Sequence, residues 1–537
     1  MVDRADLIVR SATILTPSVV EGGAAEVEFV AIRDGQIVGL GSEADRENWT
    51  AEREIDLGAG VLSPGFIDAH IHPIGGLDMT RGVDLSGIRS RGALQTVLRE
   101  HLASSPPSAW IFGWGLDPAA MDDSFDNTIL DGIAQDRLVY ITLFDGHGVV
   151  VSDAALALAG VTGNESFNDA SVVAVDATGR PTGVLFEMSA TQLVGAHLPP
   201  LDFDERVNGL LQILDAMAQS GLVAGQMLDL AAPDSLEVLE AAEEIGDLAI
   251  RLRVSPWLMP GFSDSELESM AEMQTRHGRR WHVHGVKLLI DGSIDNGTAW
   301  LFEPDSHGES TRSLWLEPDE YRRAVAWLDE RGIPTATHAI GDQGVSFVAA
   351  TLAELPDGGP QHRIEHIEIL PDRVLEEIRN SGATASMQPT HCTLYTRADH
   401  ADNWSQRLGD ERANLAWRVG ALRESGVVVA LGSDWPIASY DPRIIFAAAQ
   451  LRRQPGDANT TPNQPSEGLS VRRALEGYTS QYWESVGEPG GRIEVGARAD
   501  FTAFDRNPLT TDPDEFAQAT VLLTVVDGEV VVDAAQH

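Results

Sequence analysis

The 537-residue chain contains one lysine, Lys287. A soluble chain of this size ordinarily carries tens of them. Every other cationic side chain is therefore arginine, within a Lys+Arg total of 38. Arginine cannot stand in where a side-chain nitrogen has to lose its proton or be chemically modified. The one lysine spared thus marks a position where chemistry is expected. Cysteine is equally scarce: Cys392 is the only one, which excludes an intrachain disulfide and a disulfide-stapled secreted scaffold. Cys392 itself reads as a small buried hydrophobe. No apolar run approaches the length of a membrane span. The start, Met1-Val2-Asp3-Arg4, lacks a basic segment followed by an apolar one, and there is no low-complexity tract or short-period repeat. A cytoplasmic location is expected.

Positive charge is also in short supply. Against 38 basic residues stand 82 acidic ones, for a net charge of -44. Self-repulsion on this scale destabilises a compact state unless counterions screen it. The composition therefore points to a halophilic protein that works in a salt-rich cell. High-GC coding also trades lysine for arginine, but does not by itself supply so much acid. Nucleic acid and anionic membranes are excluded as partners, because both repel this charge.

With 43% hydrophobic residues the chain can build a large core. Its ends are β-rich, with hairpin signals at Asp34-Gly35 and Asp527-Gly528. These suggest one small sheet domain assembled from residues 1–60 and 491–537. Between them, strand and helix patterns alternate, the mark of a parallel sheet. Eight candidate strands are Val61 to His70, Leu222 to Leu228, Ala249 to Trp257, His284 to Ile290, Pro334 to His338, Arg363 to Ile369, Thr384 to Gln388, and Val427 to Ser433. Eight such strands predict a (β/α)8 barrel over 61–490, with its site at the C-terminal ends of the strands. Residues 75–200 break the rhythm and read as one insertion after the first strand, placed to roof the pocket.

Ligand-type side chains recur where these strands end. The first ends in His70-Ile71-His72, two imidazoles on the same side of a strand and a natural half-site for zinc or a similar divalent ion. The fifth supplies His338, the sixth His366, and the eighth Asp434. Lys287 fits this set only if altered, since a free ammonium repels a cation. Carbamylation by CO₂ would turn it into a carboxylate able to bridge two ions.

His70-Ile71-His72, Lys287, His338, His366 and Asp434, in that order, resemble the metal-dependent amidohydrolase superfamily. The motifs Asp291-Gly292-Ser293, Thr337-His338-Ala339-Ile340-Gly341-Asp342 and Gly432-Ser433-Asp434-Trp435-Pro436 resemble its amidohydrolase-3 branch, which includes N-substituted formamide deformylases. The resemblance implies an α/β fold: a TIM-like barrel, a small β-sandwich domain built from both termini, and the long insertion. It implies one or two divalent ions, zinc the expected metal. His70, His72 and Asp434 would hold one, His338 and His366 a second, and carbamylated Lys287 would bridge them. The implied activity is hydrolysis of a non-peptide C–N bond in a small-molecule amide, such as an N-substituted formamide or another N-acyl compound. Metal-activated hydroxide would attack, with Asp434 as the base. Alternatives are a cyclic-amide hydrolase, a deaminase, or a non-catalytic binding or regulatory protein that keeps the fold. A homo-oligomer is compatible with the sequence.

Further candidates come from residue type and place. His147, in the insertion, could donate a hydrogen bond to the substrate carbonyl or its oxyanion. Trp114, Asp117, Asp291 and His391 are candidate substrate-binding residues. His282-Val283-His284 lies near the start of its strand and reads as a decoy. His362 begins its strand and reads as structural; Arg363 reads as a strand-start surface salt bridge.

The charge has a direct consequence. Moving the protein from molar KCl to dilute buffer is expected to lower both its melting temperature and its activity, as carboxylate repulsion is unscreened. Unchanged thermal unfolding in the absence of salt contradicts the halophile reading.

Overall fold

A computed structural model describes residues 3–121, 125–134, 136–230 and 234–534. One glycine decides where the first strand belongs. The sequence offers Val61 to His70 as a single strand, but the chain divides at Gly65. Val61–Pro64 joins the terminal strands, and Phe66–Ile71 (β1) joins the parallel ones. A Cβ at Gly65 would lie 2.4 Å from a Val223 methyl, so only glycine lets the backbone pass this close.

Seven more strands follow: Leu222–Leu230 (β2), Arg251–Pro256 (β3), Val286–Leu289 (β4), Thr335–Ala339 (β5), Arg363–His366 (β6), Thr384–Met387 (β7) and Val429–Leu431 (β8). Apart from β2, part of which is not described, each is buried at every position. Burial on both faces explains their near-continuous apolar runs. They lie in two parallel sheets. One runs Trp281–Val283, β3, β2, β1, and the other β4 to β8 in sequence order. The sheets meet at both edges through single parallel bridges, Trp257 with Lys287 and Ile71 with Trp435. Leu258 N–H donates to the Lys287 carbonyl (3.0 Å) at one edge, and His72 N–H to the Trp435 carbonyl (2.9 Å) at the other. The helix Asp372–Ser381 shows the usual logic of the connections. It buries Val374, Leu375 and Ile378, and stops at Gly382 in the left-handed conformation, φ 72°.

The two chain ends pair as the turn signals suggest. Asp34-Gly35 and Asp527-Gly528 both carry positive φ at each residue, the geometry of a tight hairpin. One terminal sheet holds Asp3–Arg10, Phe29–Arg33, Gln36–Gly41 and Trp49–Asp56. The other joins Thr13–Ile14 and Val61–Pro64 to Phe501–Phe504, Val521–Val526 and Glu529–Asp533. Leu7, Val9, Val30 and Ile32 of the first share a core with Phe501, Ala503, Leu523 and Val525 of the second. Phe66 ties these strands to the parallel ones, with its ring 5.3 Å from Phe504 and 5.5 Å from Tyr478.

Residues 83–186 are more than a long loop. They carry a six-stranded sheet in the order Val172–Val175, Pro181–Phe186, Gly148–Val151, Val139–Leu143, Ile111–Leu116, Val83–Asp84. This sheet has its own core around Leu85, Ile111, Ile141 and Val184.

His282 and His284 lie at the start of the segment leading into β4, beside Arg253. Burial, then the Arg253 charge, push both imidazoles down to about 4. A folded-state value below the unfolded one near 6.5 means that stability is whole above pH 6.5 and is lost as pH falls towards 4. In urea titrations at constant salt, the His282→Gln/His284→Gln variant is expected to lose less stability across that window than the parent. Parallel losses in the two proteins remove these imidazoles from the acid response.

Candidate metal centre

His70, near the end of β1, is 1% exposed. Its Nδ1 donates to Glu365 Oε2 at 2.8 Å, which fixes the tautomer and turns Nε2 inward. That Nε2 lies 3.4 Å from Lys287 Nζ and 3.4 Å from Asp434 Oδ1. His72 Nε2 lies 2.9 Å from the same Asp434 oxygen. His70, His72 and Asp434 thus put three donor atoms within 4.8 Å of one another. The other Asp434 oxygen is 3.9 Å from His366 Nδ1 and 3.9 Å from His391 Nε2, and these three form a second such group. Asp434 is shared by both.

His338 stands beside this pair of groups, its ring 4.4 Å from that of His366. Its Nε2 is 3.3 Å from the Gly292 carbonyl. The sequence reading gave His338 and His366 to one ion and left His391 to substrate. The geometry instead groups His391 with His366, because the short helix Pro389–Tyr395 after β7 carries its ring into the site.

The electrostatics suit a cation. Burial holds the His70, His338 and His366 imidazoles well below their ordinary value, helped by Lys287 at all three. They are therefore neutral, as metal-ligating imidazoles must be. Burial works against the Asp434 carboxylate, but the hydrogen bond from His72 and the nearby cationic groups bring it below the usual range. Buried His391 Nε2 has no hydrogen-bond partner. Neutral imidazoles, an ionised carboxylate and an unpaired buried nitrogen make a donor set that fits a divalent ion. Lys287 is 2% exposed, and burial lowers its amine to about 8.

A cavity of about 270 Å³ opens over these groups. Met79, Met188, Trp257, Met259, Leu289 and Leu314 give it an apolar wall, and His147, Glu187 and Asp229 a polar one. His147 Nδ1 is 3.1 Å from Glu187 Oε2. Burial opposes its charge, yet the Glu187 ion pair raises the imidazole to about 9. Three of the residues here hold left-handed backbone without being glycine: Glu187 (φ 63°), His366 (φ 73°) and Asp434 (φ 58°). Such conformations cost energy and cluster at functional sites.

Two sequence candidates sit elsewhere, and a third stands behind the site. Asp117 accepts from Ala119 N–H (2.8 Å) and pairs with Arg89 (3.2 Å), capping a short turn. Trp114 lies in the insertion sheet opposite Asp84; neither residue lines the cavity. Asp291 is wholly buried and accepts from the backbone N–H groups of Trp300, Ile340 and Gly341. It orders the loops behind His338, with its Oδ1 3.8 Å from His338 Nε2. Arg363 is likewise no surface residue: it is 3% exposed and pairs with Glu365 at 2.6 Å. His362 is structural as expected, bonded to Asp329 and Thr335.

Glu365, Asp229 and Glu187 belong to the site but were not singled out. Glu365 and Asp229 each lie at a strand end, the criterion that found the histidines. Glu187 carries no such signal, as it follows a strand of the insertion.

Imidazoles and a carboxylate gathered where parallel strands end define a metal-dependent hydrolase. The chain belongs to the Amidohydrolase family, which matches residues 53–532. It is 28% identical to the putative amidohydrolase YtcJ of Bacillus subtilis over 94% of this chain and 96% of that protein. It is 22% identical to the N-substituted formamide deformylase of Arthrobacter pascens over 98% of each. The crystal structure of an uncharacterized metal-dependent hydrolase from Pyrococcus horikoshii superposes with a TM-score of 0.71 at 23% identity, covering 94% of this chain and 99% of that one. That likeness implies a TIM-like barrel.

Glu365 orients His70 without joining the donor group, so Glu365→Gln should bind zinc about 10–100-fold more weakly while keeping the fold. Competition with a zinc chelator measures this. Parent-like affinity would leave Glu365 with a packing role alone.

Proposed function

We propose that this protein hydrolyses a non-peptide C–N bond in a small N-acyl compound, an N-substituted formamide being the leading candidate. The observation that carries the reading is the junction at Asp434 of two donor groups drawn from distant strand ends, beside a buried lone lysine. The apolar wall of the cavity suits a hydrocarbon substituent on the amide nitrogen. The relative named N-substituted formamide deformylase, aligned over nearly its whole length, supports the same reading.

In this reading β1 to β8 form one closed (β/α)8 barrel, supported by the bridges at both sheet edges. The terminal strands form a β-sandwich, and residues 83–186 form a domain that roofs the site. His70, His72 and Asp434 would hold one divalent ion, zinc by preference. His366 with His391 or His338 would hold a second, and carbamylated Lys287 would bridge them. Carbamylation joins the neutral Nζ to the carbon of CO₂ and releases a proton; the lowered amine makes the neutral form accessible. Bound cations would supply Lewis acidity towards a water and a carbonyl oxygen.

The chain's own residues do the rest. Asp434, ionised and central, takes a proton from the attacking water and returns it to the departing nitrogen. His147, kept protonated by Glu187, donates to the carbonyl oxygen as negative charge gathers there. Trp257, edge-on to His72 at 6.2 Å, closes one side against solvent. The acidic, nearly lysine-free composition supports work in a salt-rich cytoplasm.

The test is a panel of N-acyl amines, cyclic amides and aminopurines, assayed in molar KCl with metal content measured alongside. N-substituted formamides are expected to turn over best. Asp434→Asn should keep at least one metal yet lose about 10²–10⁴-fold in kcat, and His147→Gln about 10²–10³-fold. Release of ammonia from aminopurines alone would reassign the protein to deamination. Near-normal kcat in Asp434→Asn would remove it as the base.

A further inference from the structure

The starts of β4, β5 and β6 enclose a second cavity, away from the candidate cation site. Its wall includes Gln226, Arg253, Ser255, His284, Thr335 and Arg363. Its free volume of about 20 Å³ admits one water-sized particle. Arg253 and Arg363 are only 4% and 3% exposed. Each guanidinium is partly engaged. Arg253 Nη2 donates to Glu488. Arg363 donates from Nε to Glu365 Oε1 at 2.6 Å and from Nη2 to the Ala69 carbonyl at 2.8 Å. In both residues Nη1 is buried without a partner.

Several other polar side chains of the wall are engaged, whereas the His284 ring and Gln361 Oε1 are acceptors at its rim. Gln226 Nε2 donates to Ser255 Oγ at 2.9 Å, and Gln226 Oε1 accepts from the Tyr482 hydroxyl at 3.3 Å. Ser255 Oγ donates to the His284 carbonyl at 3.0 Å, and Thr335 Oγ1 meets His362 Nδ1 at 2.9 Å. The buried atoms that the cavity leaves unmet are donors, on two permanently charged groups. A cation is repelled there. A water could accept from the guanidinium groups and donate to the His284 ring at the rim, so what favours an anion over water is the two guanidinium donors facing each other across the space. A halide accepts from both sides and needs to donate nothing. Sulfate and phosphate are too large for the space.

We propose that this cavity is a binding site for one small monovalent anion, chloride in a salt-rich medium, held by the Nη1 groups of Arg253 and Arg363. The site has a line of contact to the candidate metal centre. Arg363 grips one oxygen of Glu365, and the other oxygen of Glu365 holds His70 Nδ1 at 2.8 Å. Arg363 is a positioning residue, and the anion fixes its free end.

Two measurements on the full chain test this. Crystals soaked in bromide, with data collected at the bromine edge, should show an anomalous peak in the cavity. An ordered water there and no bromine signal overturns the proposal. In solution, exchanging acetate for chloride at constant potassium concentration should raise Tm by about 2 °C or more, saturably. Arg253→Gln should abolish the saturable part. A chloride response in the parent that does not saturate, or that survives in Arg253→Gln, also overturns it. The diffraction experiment needs only the parent protein, so it decides the matter even if the variant does not fold.

Discussion

Burying one amine among imidazoles is the constraint on which the centre depends. Lys287 sits 3.4 Å from His70, where water cannot solvate its charge. Two buried carboxylates, Glu365 and Asp434, oppose that charge, and each has a second task. Glu365 orients His70 and neutralises Arg363; Asp434 joins the two donor groups. Removing one member of a buried charge set of this kind costs about 3–5 kcal/mol, so neither carboxylate is replaceable on charge grounds alone. Burial holds the His70, His338 and His366 imidazoles well below their ordinary value in the same surroundings.

Backbone strain also falls on residues of this site. Glu187, His366 and Asp434 all take left-handed backbone, at about 1–3 kcal/mol each. The surroundings hold them there. His366 is anchored through Nδ1 to Gln388 Oε1 at 3.0 Å, and the Asp434 N–H donates to the His70 carbonyl at 2.8 Å. Asp68 accepts from the N–H groups of both His70 and Ser433 at its Oδ1, at 3.1 and 2.9 Å. Burial pushes its carboxyl up to about 7. β1 and the end of β8 are thus pinned together directly beneath the ligands.

Much of this was legible because strand ends are marked twice, by an apolar run and by the ligand-type residue that ends it. His70, His338, His366 and Asp434 all carry that double mark, and the lone lysine stood out by composition. The same rule applied more widely would have found Asp229 and Glu365. It could not have placed His391 beside His366, because a short helix sets the direction of that ring. Trp114 and Asp117 misled for the converse reason. Their Gly-rich neighbourhood reads as a pocket loop but folds as a strand and a capped turn of a separate sheet. Gly65 was invisible as a breakpoint because its neighbours on both sides are equally apolar; only the proximity of Val223 requires a glycine there.

The scarcity of lysine acquires a structural meaning at the opposite end of the parallel strands. Arg251, Arg253, Arg280 and Arg363 are all buried there. Arg251 grips both oxygens of Asp500, at 2.9 and 3.1 Å, and also reaches Asp527. Arg280 bonds Glu529 at 2.6 Å and the carbonyls of Leu248 and Val526. Arg251 and Arg280 tie the parallel strands to the C-terminal β-strands and their turns through several directed donors apiece. A lysine, with a single nitrogen, could not satisfy such a fan of acceptors. Under the proposed function the Lys287 nitrogen sheds its proton, a step that arginine does not share. Buried guanidinium groups therefore fasten one end of the strands, and the single amine of the chain stands at the other.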